Sequence, residues 1–405
     1  MARIVLRDGA LADGRSDSLR IGVSVLVDGD RIAWIRPSDD ERPDAAAGEV
    51  TVIDASGSTI VPGLVDSHSH LTLPGGAHWI DRAGDPPERL LAAAEQNARL
   101  LARAGVRWAR DVGAPIGIDP VDGRRRALSL GIRDRWAGGD GRPRRGYPYV
   151  RAAGTWIDRA GTLPSTGSVE ASTGDELIAG ALRQLDDGAD LVKLYLDGPE
   201  AGVAPWSVDE VRAVVSGVHA RGAKVTAHSS NLAGARVGVE AGVDAIEHGM
   251  ELDTDVCAEM VANGTFLVST LTVFRSWRSF GATTTLPRFT TPEGRARGRA
   301  RAERAVESVR LAHAAGVKIA TGTDFGGGSA RANQLAWEVE SLVAAGLEPW
   351  QALGAATWRG GDLLGEPDAG VIREGGPADL VLVHGDPLSD PTALWRVWWV
   401  SWVDA

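Results

Sequence analysis

One cysteine, Cys257, in 405 residues excludes an intramolecular disulfide, so the fold has to be held by apolar packing. No apolar run approaches the ~20 residues that span a bilayer. The tryptophan-rich tail ALWRVWWVSWV is broken by Arg396 and Ser401 and is expected to be a buried strand. A basic balance is also missing: the formal charge is −11, which argues against nucleic acid or an anionic membrane as the main partner. Eight arginines between Arg124 and Arg145 could object, but Asp134, Asp140 and helix-forming Ala and Leu are interleaved with them, which reads as a solvated helix and loop. The opening MARIVLRDGALADG has no stretch suited to a secretory signal, so a cytoplasmic location is the default expectation. What is present is ample core material, with 43% apolar residues.

The grammar changes twice along the chain. From Arg3 to Val61 it is β-rich with turn signals between the runs, as in RIVLRDG, RIGVSVLVDGDRIAWI and EVTVIDASGSTIVPG. From Gly63 to about Leu364, strand-like runs alternate with alanine-rich helical stretches: GVRWARDVG, ADLVKLYLDG, AKVTAHS, VDAIEHG, TFLVSTL and VKIATGTD. That alternation predicts parallel strands with crossover helices, hence an α/β barrel or doubly wound sheet. After Leu364 the β pattern returns. Neither terminal segment is large enough to fold comfortably alone. The expected organisation is therefore one composite β-sandwich domain from residues 1–61 and 365–405, with the α/β unit of residues 62–364 inserted between its halves.

Metal-capable side chains recur at the ends of the candidate strands. VDSHSH places His68 and His70 on one face of a strand end; Lys193 follows in LVKLYLDG, His228 in VTAHSS, His248 in AIEHGM and Asp324 in IATGTD. Their separations are compatible with βα units of about 36 residues, which would bring all six to one mouth of a (β/α)8 barrel. Imidazole nitrogen and carboxylate oxygen suit zinc or another divalent transition ion. Lysine as an ammonium does not. Lys193 therefore pairs with a neighbouring acid, or is deprotonated by burial, or is converted by carbon dioxide into a bridging carbamate.

SHSH, VKLYLDG, AHSSNLAGARVGVEAGVDAIEHG, TGTD and GVIREGGPADLVLV together resemble the amidohydrolase superfamily, in its Xaa-Pro dipeptidase-like and imidazolonepropionase-related branch. The resemblance implies a TIM barrel with a composite β-sandwich and two divalent ions. It also implies His68, His70 and Asp324 on one ion, His228 and His248 on the other, carboxylated Lys193 bridging them, and Asp324 as acid/base. Two ions sharing a water would generate a hydroxide nucleophile near neutral pH. The implied reaction is hydrolysis of an amide bond, of an Xaa-Pro-like dipeptide or an N-acyl amino acid. A lactone, carbamate or organophosphate hydrolase would use the same centre with a different pocket, and a non-catalytic scaffold is opposed by the complete ligand set. Deamination is disfavoured because His228 is followed by SSNLAG rather than by a glutamate.

Tyr195, two residues beyond Lys193, would face the barrel interior and could donate to a developing oxyanion. Asp197 on the same face reads as a loop cap. The stretch from Thr270 to Thr291 is read as a long loop after the seventh strand, either a plain surface loop or a lid with Arg275, Arg278 and Trp277 available to hold a substrate carboxylate and an apolar side chain. The glycines at 326–328 read as room for close backbone approach beside Asp324. TWIDRAGTLPSTG lacks the histidine-bearing segment that many relatives carry after the third strand, which puts transfer of their specificity in doubt. His78, His219, His313 and His384 have no comparable setting, and Cys257 reads as an inert core thiol. A small molecule is the expected partner, and homo-oligomerisation is left open.

Overall fold

A computed structural model describes residues 3–40, 50–79, 81–163 and 167–403. Parallel pairing joins the first barrel strand, Leu64–Ser69, to Val106–Asp111 and then to Tyr149–Ala152. The third strand breaks after Ala152 and resumes as Trp156–Arg159, which pairs with Leu191–Tyr195 through Trp156 and Lys193. Lys224–Ser229, Ala245–His248, Phe266–Ser269 and Ile319–Thr321 follow in order. The ring closes where Asp324 N–H donates to the His68 carbonyl at 2.8 Å and Ser69 bridges Phe325. This is a (β/α)8 barrel. Its first two strands are buried along their whole length, as expected for parallel strands covered on both faces.

The terminal β segments form a single seven-stranded sheet. Leu380–His384 pairs antiparallel with Ser58–Pro62, and Arg3–Leu11, Arg20–Asp28 and Arg31–Pro37 continue the order on one side. Arg3–Leu11 has register shifts around Gly9, so its first half pairs with Val50–Asp54 and its end with Ser58–Pro62. Such a bulge bends a strand and lets one sheet fold over its own core. Leu6, Val25, Ile32, Ile60, Leu380 and Leu382 meet in that core.

Three local expectations are corrected. The tail strand, Val397–Val400, is an edge strand beside Leu380–His384, not a buried one: Trp398 within it is 41% exposed, and Trp395 in the turn before it 39%. An edge strand has only one hydrogen-bonded neighbour, so part of its surface faces solvent. The stretch expected to be a loop, from Thr270 to Thr291, contains the helices Thr272–Ser279 and Pro287–Thr290 and leads into the 24-residue helix Pro292–Ala315. The first of these forms because Val273, Phe274 and Trp277 recur at helical spacing and the buried Glu338 carboxylate accepts from Leu271 N–H, Thr272 N–H and the Thr272 hydroxyl. Finally, Arg126 is not solvated; its buried guanidinium joins Asp122 and Asp134, while Arg133 and Arg135 hold Asp190 and Asp119. These arginines are neutralised within the chain and form no basic face.

Candidate metal centre

Strand alternation turns both histidines of the first strand to the barrel mouth, and the neighbouring elements fix their rings. His70 Nδ1 donates to the Gly113 carbonyl at 2.7 Å, and His68 Nδ1 meets Glu247 Oε2 at 2.6 Å. Their Nε2 atoms both face Asp324 Oδ1, at 3.3 Å from His70 and 3.5 Å from His68. His248 is anchored through Nδ1 on the Thr270 hydroxyl at 2.8 Å. His228 is anchored at the other nitrogen, with Nε2 on Asp197 Oδ2 at 2.9 Å, which leaves Nδ1 to face inward. The rings of His68 and His248 lie 4.7 Å apart, and those of His228 and His248 lie 4.5 Å apart. His68, His248 and Asp324 each offer a donor atom within 4.8 Å of the others.

The backbone is bent to achieve this. Among the described residues, the non-glycine positions at positive φ are Asp8, His248 at 68° and Asp324 at 51°. Two of the three carry site side chains, and such strain persists only where the surroundings enforce it. Gly327 lies against the same corner: a Cβ there would come within 2.1 Å of the His70 ring and 2.8 Å of Asp324 Oδ1. That close approach is the expected use of the glycine run.

Lys193 settles at the bottom of this cluster. It is 1% exposed, and its Nζ has no hydrogen-bond partner among the described residues, so it does not make the salt bridge considered from the sequence. Burial pushes its ammonium down to about 8, opposed by Glu247 and reinforced by Arg110. Burial, with Lys193 and His228 close by, also holds His68 and His248 well below the ordinary histidine value, so their rings are neutral and keep a lone pair. Imidazoles anchored at the second nitrogen, one carboxylate and one buried amine without a partner among the described residues are a donor set that fits divalent transition ions.

Tyr195 lies flat on His228, with ring centroids 3.8 Å apart and planes at 9°. Burial, then Asp197 and Asp324, raise its phenol, so it stays a proton donor. Asp197 does more than cap a loop: besides His228 it accepts from Ser230 N–H, the Ser230 hydroxyl and Asn231 Nδ2. The cavity above these residues has a volume of about 290 Å³ and is walled by Leu73, Trp79, Trp156, Met250 and Trp277.

Of the residues expected to hold substrate, only Trp277 lines this cavity. Arg275 is turned away to Glu340 Oε2 at 2.7 Å, and Arg278 lines a separate cavity on the other side of Trp277. The cause is the helix: positions 275, 277 and 278 point in different directions at about 100° per residue, whereas a loop could have turned them together.

Sequence reading missed the supports. Glu247 joins Arg110 Nη2 at 2.5 Å, His68 and the Thr226 hydroxyl, all buried. Asp66 holds Thr323 Oγ1 at 2.6 Å, with burial pushing its carboxyl up to about 7, and Asp111 accepts from Leu71 N–H at 2.7 Å, pushed by burial to about 6. A carboxylate inside an apolar strand, as in AIEHG, was the available signal for Glu247. It was obscured because alternation sends adjacent residues to opposite sides, whereas here Glu247 and His248, the latter at positive φ, both lie beside His68. The other histidines lie elsewhere: His219 pairs with Asp244, His78 with Asp81, and His384 stacks on Trp398. Cys257 is buried, and its thiol is pushed up to about 11 by that burial.

Comparison with known proteins adds to this geometry. A model described as the amidohydrolase family matches residues 59–402. An uncharacterized protein of Mycobacterium tuberculosis (strain ATCC 25618 / H37Rv) is 30% identical over 352 residues, 86% of this chain and 84% of its own length. The imidazolonepropionase of Anaeromyxobacter sp. (strain K) is 28% identical over 426 residues, covering 94% of this chain and 89% of its own. A solved Xaa-Pro dipeptidase with methionine bound in its active site superposes with a TM-score of 0.80, at 26% identity, over 98% of both chains. A match across most of the chain, on a barrel whose strand ends gather these side chains, makes this protein a member of the amidohydrolase family of hydrolases.

Proposed function

We propose that the protein hydrolyses the amide bond of a small molecule, an Xaa-Pro-like dipeptide or an N-acyl amino acid, with two divalent ions, zinc by the donor chemistry. The observation that carries this reading is Lys193: a buried amine with no hydrogen-bond partner among the described residues, lining the same cavity as four imidazoles and a carboxylate. Its neutral form can attack carbon dioxide, forming an N–C bond and releasing a proton, and the resulting carbamate would bridge the pair. His68, His70 and Asp324 would hold one ion, and His228 and His248 the other. Ions bound there would supply an acidified water and polarise the scissile carbonyl.

The remaining work falls to the chain. Asp324, open to the cavity beside both first-strand histidines, takes a proton from the nucleophile and delivers it to the departing nitrogen, which leaves poorly as an amide anion. The Tyr195 phenol, kept protonated, donates to the oxyanion. Glu247, Thr270, Asp197 and the Gly113 carbonyl lock the imidazoles so that no reorganisation accompanies the reaction. The name of the dipeptidase neighbour and the apolar walls of the cavity support the substrate class.

The test combines elemental analysis after reconstitution with zinc and bicarbonate with a hydrolysis screen over dipeptides, N-acyl amino acids, lactones and carbamates. Two ions per chain, reduced in Lys193→Ala, with amide cleavage, is the expected result. One ion per chain, unchanged in Lys193→Ala, would overturn the paired centre. Activity confined to lactones or carbamates would overturn the amide reading. No helix among the described residues is long and apolar enough to cross a membrane.

A further inference from the structure

The cavity over the candidate centre has an uneven rim. Trp79, Trp156, Trp277, Leu73 and Met250 make its walls apolar and largely aromatic. Apart from the buried Lys193, the one cationic side chain among the described residues that line it is Arg301, on the helix Pro292–Ala315. Farther along the same helix Arg304 pairs with Glu251 at 2.9 Å and Arg310 with Glu307 at 3.7 Å, while Arg295 and Arg299 line the separate cavity beside Arg278. Arg301 is exposed and makes no ion pair or hydrogen bond with the described residues.

A guanidinium at the edge of an apolar cavity presents a planar fork of donors that matches a carboxylate in two parallel hydrogen bonds. A neutral carboxamide in the same place offers one acceptor oxygen and no charge. Phosphate would also satisfy a guanidinium, but the aromatic walls on the other sides call for an apolar body attached to the anion.

We propose that Arg301 is the carboxylate receptor of the site, and that the amide substrate is an N-acyl amino acid with a free carboxylate and a bulky, preferably aromatic, group lying against Trp79, Trp156 and Trp277. This rests on the amide-hydrolase reading and assigns its carboxylate to the helix after the seventh strand, at a position other than Arg275 or Arg278.

The test is calorimetric binding to the metal-loaded protein, using a non-hydrolysable ketomethylene isostere of phenylpropanoyl-tryptophan as the free acid and as the carboxamide. A third ligand moves the carboxylate to the acyl end. The C-terminal free acid should bind at least about tenfold more tightly than its carboxamide, as a charge-assisted bidentate contact requires. In Arg301→Gln that preference should fall to about threefold or less, with the carboxamide little affected, and Arg301→Lys should restore part of it. Equal binding of acid and carboxamide, no binding of either, or a preference that survives Arg301→Gln would overturn the proposal. Tighter binding of the acyl-end acid would overturn the placement of the carboxylate on the amino-acid side. Binding needs no turnover, so an Arg301-dependent preference in a protein that cleaves no amide would sink the proposed function and leave the receptor in place.

Discussion

The two walls of the cavity are built differently. The strand-end wall is buried, and each of its four histidines is tied at its second ring nitrogen to a carboxylate, a hydroxyl or a carbonyl. The helical wall, from Thr272–Ser279 and Pro292–Ala315, mixes buried and exposed side chains, and its arginines meet acids at Arg275, Arg304 and Arg310 but not at Arg301, which lines the cavity. Register in a closed barrel positions the first wall, so its geometry tolerates little. Helix phase positions the second, where one residue of offset changes which side chain meets a ligand. On the proposed function, the chemistry would belong to the first wall and the choice of substrate to the second.

The sharpest way to break this division is at Asp324. Asp324→Asn should keep the fold, as read by circular dichroism, and lose turnover by about 10²-fold or more because the proton carrier is removed. Near-normal turnover with full metal content would take Asp324 out of the chemistry. Tyr195→Phe should cost roughly 10 to 10³-fold in kcat, the scale of one oxyanion donor, with little change in KM. A change in KM alone would move Tyr195 to the specificity wall.

Glu247→Gln tests whether the supports matter as much as the ligands. It removes the charge between His68 and Arg110, and metal affinity measured by chelator competition should fall about 10 to 100-fold. Unchanged affinity would show that the ligands position themselves. The smallest effect is expected on the helical wall at Arg275. Arg275→Ala should leave KM for acidic substrates within about twofold and cost at most about 1 kcal/mol of stability in denaturant titration, because its partner is Glu340 at a partly exposed pair. A strong rise in KM would return Arg275 to the site and blur the comparison with Arg301.

Period and position were enough to read the first wall. Two histidines two apart at a strand end, and a lysine, histidine or aspartate at the end of four later apolar runs, can be assigned to one mouth because a parallel barrel brings every strand's C-terminal end there. The alternation of strand and helix was legible for the same reason, and so was the return of β pattern after Leu364, whose strand Leu380–His384 pairs with Ser58–Pro62. The second wall was illegible. Thr270–Thr291 has glycine, proline and threonine enough to read as a loop, and the carboxylate that makes a helix of it, Glu338, lies more than sixty residues away in sequence.

The sequence by itself thus determined the barrel and which side chains stand at its mouth, since side-chain period and repeat length are local properties that the closed sheet converts directly into position. Only the tertiary structure decided how those side chains are held. The orphaned Lys193, the positive φ at His248 and Asp324, and the Glu247 bridge between His68 and Arg110 depend on burial and on contacts between distant strands. The same holds for the rim, where Arg301 faces the cavity and Arg275 does not, because helix phase and the nearest acid are set by packing rather than by the residues alongside.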